Sequence, residues 1–214
     1  MQVEIWSDIA CPWCYIGKRR FEAALSGFEG RDEVSVTWRS FELDPGAPPE
    51  RTGERAQYLA SKYGMSLEQA REMEAQMTER AAADGLEYRL DIARAGNTFD
   101  AHRMLHLAAA HGVQDAFKER AMRAYFTEGE LMSDHDTLAR LAADVGIPED
   151  EAREALASDR FAAEVREDQE TAYGFGIQGV PFFVFDRALG VSGAQPAEVL
   201  AEALRQAAAA VQPR

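Results

Sequence analysis

The chain has 214 residues, 46% of them hydrophobic and 28% charged, a composition that suits a soluble globular protein able to bury one sizeable core. No apolar run approaches the ~20 residues a helix needs to cross a bilayer, so no transmembrane span is predicted. The 37 acidic residues outnumber the 23 basic ones, for a formal charge of −14, which argues against nucleic acid and anionic membrane as partners.

The chain opens Met1-Gln2-Val3-Glu4-Ile5-Trp6, already strand-like, with no basic and then apolar leader ahead of it. With Met1 as the true start, the expectation is a cytoplasmic protein whose two cysteines are not a permanent staple. Val3 to Ser7 reads as a buried strand and Asp8 to Ala10 as a turn. Cys11-Pro12-Trp13-Cys14 then leads into a helix running to about Phe28. Pro12 suits the first helical position, where its missing N–H costs nothing. Cys14, Gly17, Phe21, Leu25 and Phe28 recur at helical spacing as one buried stripe, and Lys18, Arg19, Arg20 and Glu22 fall mostly on the other faces. Val34, Val36 and Trp38 alternate with Ser35, Thr37 and Arg39 as a half-buried strand. The opening is therefore a βαβ unit with Cys-x-x-Cys at its first strand-to-helix junction.

Asp44-Pro45-Gly46-Ala47-Pro48-Pro49 breaks the pattern. Helical periodicity then dominates as far as Tyr173. Ser66 with Gln69 forms a capping box for a helix to about Ala83. Asn97 or Thr98 starts another, and further helices are predicted over 114–127, 134–144, 149–156 and 159–173, the last capped at Ser158. Strand character returns with Val180-Pro181-Phe182-Phe183-Val184-Phe185. A turn at Asp186 to Ala188, a short strand from Leu189 to Val191 and a helix from Pro196 to about Ala210 complete the chain. The ββα piece lacks a sheet of its own. The fold class is thus α/β: one core of residues 1–44 and 175–214, carrying an all-helical insertion over 45–174.

A thiol attacks a disulfide as its thiolate, so a redox cysteine needs a setting that favours the anion. Cys11 falls where a helix N-terminus would aim its unsatisfied N–H groups, and Cys14 lies one turn deeper on the buried stripe. An exposed Cys11 would form the mixed disulfide and a shielded Cys14 would resolve it. Lys18, Arg19 and Arg20 could add positive potential if they face the sulfur. The competing readings are an inert buried pair, or half a zinc site completed by His102 and His106 at i, i+4. Pro181, at the entry to a buried strand, fits either a trans strand-start proline or a special geometry.

Cys11-Pro12-Trp13-Cys14-Tyr15-Ile16-Gly17 after Ile5-Trp6-Ser7-Asp8, with Gly179-Val180-Pro181-Phe182-Phe183 near the end, resembles the DsbA-like thioredoxin family. More closely it is similar to the cytoplasmic FrnE-like branch, which shares its fold with 2-hydroxychromene-2-carboxylate isomerases. Asn97-Thr98-Phe99-Asp100-Ala101-His102-Arg103 is similar to that branch's helical insertion. The resemblance implies a thioredoxin-like fold, Cys11 and Cys14 as the catalytic pair, Pro12 and Trp13 beside them, and a cis Val180-Pro181 loop opposite, able to pair with a substrate peptide. It implies protein or peptide disulfides, or small thiols, as partners. No bound cofactor or metal is expected, and glutathione or another external thiol would recycle the pair. Trp13 stands where the periplasmic oxidant has His, so the motif is nearer the Cys-Pro-aromatic-Cys of glutaredoxins. The alternatives are a glutathione-dependent isomerase or transferase of small aromatic compounds, with Trp13, Phe99 and Met104 lining its pocket, and a peptide-binding holdase using Met65, Met73, Met77 and Met104. Intact cysteines count against the isomerase. A homodimer is compatible with the sequence but has no signature in it.

Overall fold

The computed structural model describes residues 1–211. The chain divides into two compact units, Met1–Leu43 with Ala162–Arg214, and Asp44–Phe161.

The first unit holds the sheet. Its elements are β1 (Gln2–Ser7), α1 (Pro12–Ser26), β2 (Ser35–Ser40), and, after the second unit, a helix over Ala162–Gly174, strands over Phe182–Phe185 and Leu189–Ser192, and a final helix over Ala197–Val211. In chain order these last four are α8, β3, β4 and α9, because α2 to α7 lie in the second unit. The strand order is β2-β1-β3-β4, with β1 parallel to β2 and antiparallel to β3, and with β4 antiparallel to β3. The parallel pair needs the α1 crossover, and the hairpin β3–β4 needs only a tight turn. Between the paired Phe185 and Leu189 that turn has positive φ at both Asp186 (46°) and Arg187 (53°), and the Ala188 N–H closes it on the Phe185 carbonyl at 3.0 Å. The Asp186 carboxylate also accepts the Gln2 N–H at 2.6 Å.

Alternation along the strands sorts the side chains onto two faces. Ile5 lies between Trp38 and Phe183 in the ladders, and Phe183 meets Phe21 of α1 with ring centroids 5.6 Å apart. On the opposite face Trp6, Phe41, Ala172, Ile177 and Val184 form a buried cluster, joined by the half-buried Val180 and Phe182. Ala172 brings α8 into this cluster. Asp168 ties the helix down further: its carboxylate accepts the Ser40 N–H at 2.8 Å and its carbonyl accepts Trp6 Nε1–H at 2.8 Å. The sequence reading carries the helical insertion to 174, whereas the structure groups α8 with the sheet. The composition of α8 matches the helices before it, so nothing in the pattern separates them. Ser158 does not cap α8. Its hydroxyl turns back to the Ala155 carbonyl, and Phe161 at φ 65° interrupts the chain before α8 begins.

The second unit is all helical: α2 (Arg55–Tyr63), α3 (Leu67–Ala83), α4 (Phe99–Ala110), α5 (Gln114–Phe126), α6 (His135–Asp144) and α7 (Glu149–Leu156). The capping box forms as its spacing requires: Ser66 Oγ accepts the Gln69 N–H at 3.1 Å, and Gln69 Oε1 accepts the Ser66 N–H at 2.9 Å. Ala56, Leu59, Ala60 and Ala70 join α2 to α3, with Met65 and Met73 packed against them. In α4 the buried Arg103 donates to the carbonyls of Ala155 and Ser158 at the end of α7, and to Arg160 O at 2.9 Å. Its guanidinium thereby satisfies acceptors that a helix C-terminus leaves open.

Candidate redox site

Strand β1 ends at Ser7, and within four residues the chain must turn into α1. It does so through a hydrogen bond from Cys11 N–H to the Asp8 carbonyl at 3.3 Å. Cys11 is itself the N-cap of α1, at φ −88° and ψ 114°, and Pro12 opens the helix. The side chain at an N-cap faces the first free N–H groups of the helix, the place that Ser or Asp usually fills with an oxygen. Here the N-cap residue is a cysteine, whose sulfur makes no capping hydrogen bond and is directed instead to the Val180 carbonyl. No acidic residue lies in the first turn of α1, so the partial positive charge of the helix end is not cancelled within that turn.

Cys14 follows on the inner side of α1 with no exposed surface, and Cys11 is 4% exposed. Both are free thiols. The sequence leads one to expect an exposed Cys11. Instead the thiol is nearly covered, because the Val180–Pro181 segment lies across it: Cys11 Sγ is 3.7 Å from the Val180 carbonyl oxygen, its hydrogen-bond acceptor. The Val180–Pro181 bond is cis, and the Pro181 carbonyl accepts the Gly193 N–H at 2.8 Å. The two carbonyls thus have different tasks: one anchors the loop to the exit of β4 and the other faces the thiol. Trp13, at 37% exposure, is the open aromatic beside the pair, and Pro12 is half-buried.

The approach of the proline loop depends on Gly17. A Cβ built there would stand 2.8 Å from Pro181 Cγ and 3.5 Å from Phe183 Cζ. A glycine inside a helix is unfavourable by itself, so its place on the buried stripe signals a close neighbour. The sequence shows the glycine but not which element approaches it.

The basic residues after the motif are engaged further on. Lys18 is not on an outer face: it is 1% exposed, pairs with Glu22 and sits 5.8 Å from the centre of the Trp38 ring. Its long apolar stem allows such burial, with the ammonium held by a carboxylate and an aromatic face. Arg19 bonds Glu22 at 2.8 Å, and Arg20 donates to the Ala194 carbonyl at 2.7 Å.

Under the sheet, Glu4 is 1% exposed and accepts from Arg39 (2.6 Å) and Arg187 (2.8 Å). Burial pushes its carboxyl up, but the hydrogen bonds and charges of Arg187 and Arg39 outweigh that and hold it below the usual carboxylate range. Glu42, also buried, accepts from Arg166 at 2.7 Å and Gln169 at 2.8 Å. Neither carboxylate is prominent in the sequence, since an acidic side chain normally meets water.

Other candidates fall elsewhere. His102 and Met104 are fully buried in α4 of the second unit, and Met65 and Met73 pack on the α2–α3 core. Among the described residues no group of three or more potential metal-binding side chains gathers, and no helix is long and apolar enough to cross a membrane.

Comparison with known proteins agrees with this geometry. A family model for the DSBA-like thioredoxin domain matches residues 2–205. A Streptomyces coelicolor structure, named a probable DsbA oxidoreductase SCO1869, is 49% identical with a TM-score of 0.95, covering 100% of this chain and 92% of that one. The cytosolic disulfide reductase DsbM from Pseudomonas aeruginosa shares the fold at 19% identity and TM-score 0.65, covering 99% of this chain and 100% of that one. So does a 2-hydroxychromene-2-carboxylate isomerase, at 16% identity and TM-score 0.71 with the same coverage. Cysteines at the first helix of a βαβ unit, a proline loop across them and a family match over nearly the whole length lead to one conclusion: the chain belongs to the DsbA-like thioredoxin domain family.

Proposed function

We propose that the protein is a thiol–disulfide oxidoreductase that reduces or isomerises disulfides of proteins, peptides or small thiols through Cys11. The observation that carries this reading is the placement of Cys11 Sγ at the N-cap of α1, 3.7 Å from the Val180 carbonyl. The Cys11 thiolate attacks one sulfur of a substrate disulfide; a Cys11–substrate bond forms and one substrate thiolate leaves. Cys14, one turn along and shielded, then attacks Cys11 Sγ. A Cys11–Cys14 disulfide forms, the second substrate thiolate leaves, and two electrons have passed to the substrate. The chain has two cysteines, so an external thiol such as glutathione must return those electrons, with no bound cofactor. A cytosolic reductase among the proteins of the same fold supports a cytoplasmic setting, where the pair would rest as the dithiol. Intact Cys11 and Cys14 favour this chemistry over glutathione-dependent isomerisation of a small aromatic compound.

The test is equilibration with glutathione buffers of stepped ratio, followed by alkylation and mass measurement. A reversible two-electron transition is expected at about −200 to −230 mV, as in glutaredoxins. No transition would refute the redox reading, and a potential above about −150 mV would refute the glutaredoxin-like poise.

A further inference from the structure

We propose that Asp8 is a positioning residue for the Cys11 nucleophile, acting through its hydrogen bonds and not through its charge. The inference rests on Cys11 being the reactive thiol. Asp8 is 3% exposed, directly after β1, and every oxygen it carries holds part of the turn. Its carbonyl accepts the Cys11 N–H at 3.3 Å. One carboxylate oxygen accepts the Ala10 N–H at 3.4 Å, and the other accepts the Leu43 N–H at 2.8 Å. The main-chain carbonyl of Asp8 therefore closes the 8–11 turn, and its side chain braces that turn at Ala10 and fastens it to the segment leaving β2.

The residue type follows from this geometry. Serine is too short to reach Leu43, and asparagine has one acceptor oxygen where two N–H groups need one each. A carboxylate supplies both, although its negative charge opposes a thiolate three residues away. The fastening matters because Cys11 has non-helical backbone angles at a helix end. The Cys11 side chain makes no capping hydrogen bond to hold that geometry, so the sulfur keeps its place at the head of α1, 3.7 Å from the Val180 carbonyl, only while the turn stays fixed. Loss of the Asp8 side chain leaves the Ala10 and Leu43 N–H groups without these acceptors and frees the turn, so the sulfur drifts from the helix end.

The experiment is the pH–rate profile of iodoacetamide alkylation at Cys11, read by peptide mass. The rate on the rising limb is divided by the high-pH plateau; access to the sulfur changes both alike, so the ratio reports stabilisation of the thiolate. Asp8→Ala is expected to lower this ratio about fivefold, the scale of one charge at a helix terminus. Asp8→Asn, which keeps one acceptor, is expected to recover part of it. An unchanged or raised ratio in Asp8→Ala would overturn the proposal, because removal of a charge that opposes the thiolate raises the ratio; equal loss in both variants would overturn it too, since the acceptor kept by asparagine would then do nothing. Should Asp8→Ala not fold, Asp8→Ser must show the same loss, and an ordinary ratio there would overturn the proposal. Alkylation needs only the thiol, so a failed glutathione titration would refute the redox function without deciding this point.

Discussion

Replacing Gly17 by alanine sets two effects of similar size against each other. Alanine in a helix interior is favoured over glycine by about 0.5–1 kcal/mol. The new methyl, however, would stand 2.8 Å from Pro181 Cγ and 3.4 Å from Pro181 Cβ, where carbon atoms rest comfortably at about 3.5–4.0 Å. Relief needs a shift of roughly 0.7 Å, judged against that ordinary separation. The atoms in the way belong to a proline ring, which cannot rotate aside like a flexible side chain. Its carbonyl is anchored to Gly193 N–H, and its other neighbour, Phe183, is fully buried. Overpacking at such sites costs about 1–3 kcal/mol, and against a proline ring that cannot rotate aside the cost lies in the middle of that range or above, so a net loss of about 1–2.5 kcal/mol is expected after the helical gain. Urea unfolding measures it, with Gly27→Ala as the control, because a Cβ at Gly27 meets nothing nearer than 3.9 Å. The same displacement carries the Val180 carbonyl away from Cys11, so mixed-disulfide formation should slow along with the loss of stability. A Gly17→Ala protein as stable as the parent would show that the loop yields freely and would refute the argument.

Further outcomes follow from the same geometry. Cys11→Ser should abolish disulfide exchange, and Cys14→Ser should accumulate a covalent substrate complex on non-reducing gels; turnover by Cys11→Ser would exclude Cys11 as the nucleophile. Glu4, held below its ordinary value of 4.5 by Arg187 and Arg39 against the opposing effect of burial, stabilises the fold above that pH. The stability is lost as pH falls through the folded-state value, because protonation ends the charge attraction. The urea midpoint should therefore drop between about pH 6 and about pH 3 more steeply in the parent than in Glu4→Gln. Equal slopes would show that Glu4 does not titrate across the transition.

Much of the fold was legible because it rests on local rules. Alternation from Val34 to Arg39 marks β2, the Ser66–Gln69 spacing marks the start of α3, and the apolar run at Phe182 marks β3. Cys-Pro-Trp-Cys at a strand-to-helix junction indicates where the chemistry would lie, since the N-cap position and the depth of Cys14 both follow from helix periodicity. The boundary at 161 was not legible, because α8 has the composition of its predecessors and its ties to the sheet unit, such as those of Asp168 and Ala172, are tertiary contacts. Nor was the burial of Lys18, which depends on a ring from β2 and a carboxylate one turn on.

The sequence by itself determined the elements, their order and the cysteine pair at the head of α1, because short-range periodicity and capping decide those. Only the tertiary structure decided what surrounds the sulfur. Val180 lies far along the chain from Cys11, Gly17 is needed only because Pro181 arrives there, and Asp8 gains its role from an N–H beyond β2. Such contacts depend on how the strands pair, and strand pairing joins residues that no local pattern connects.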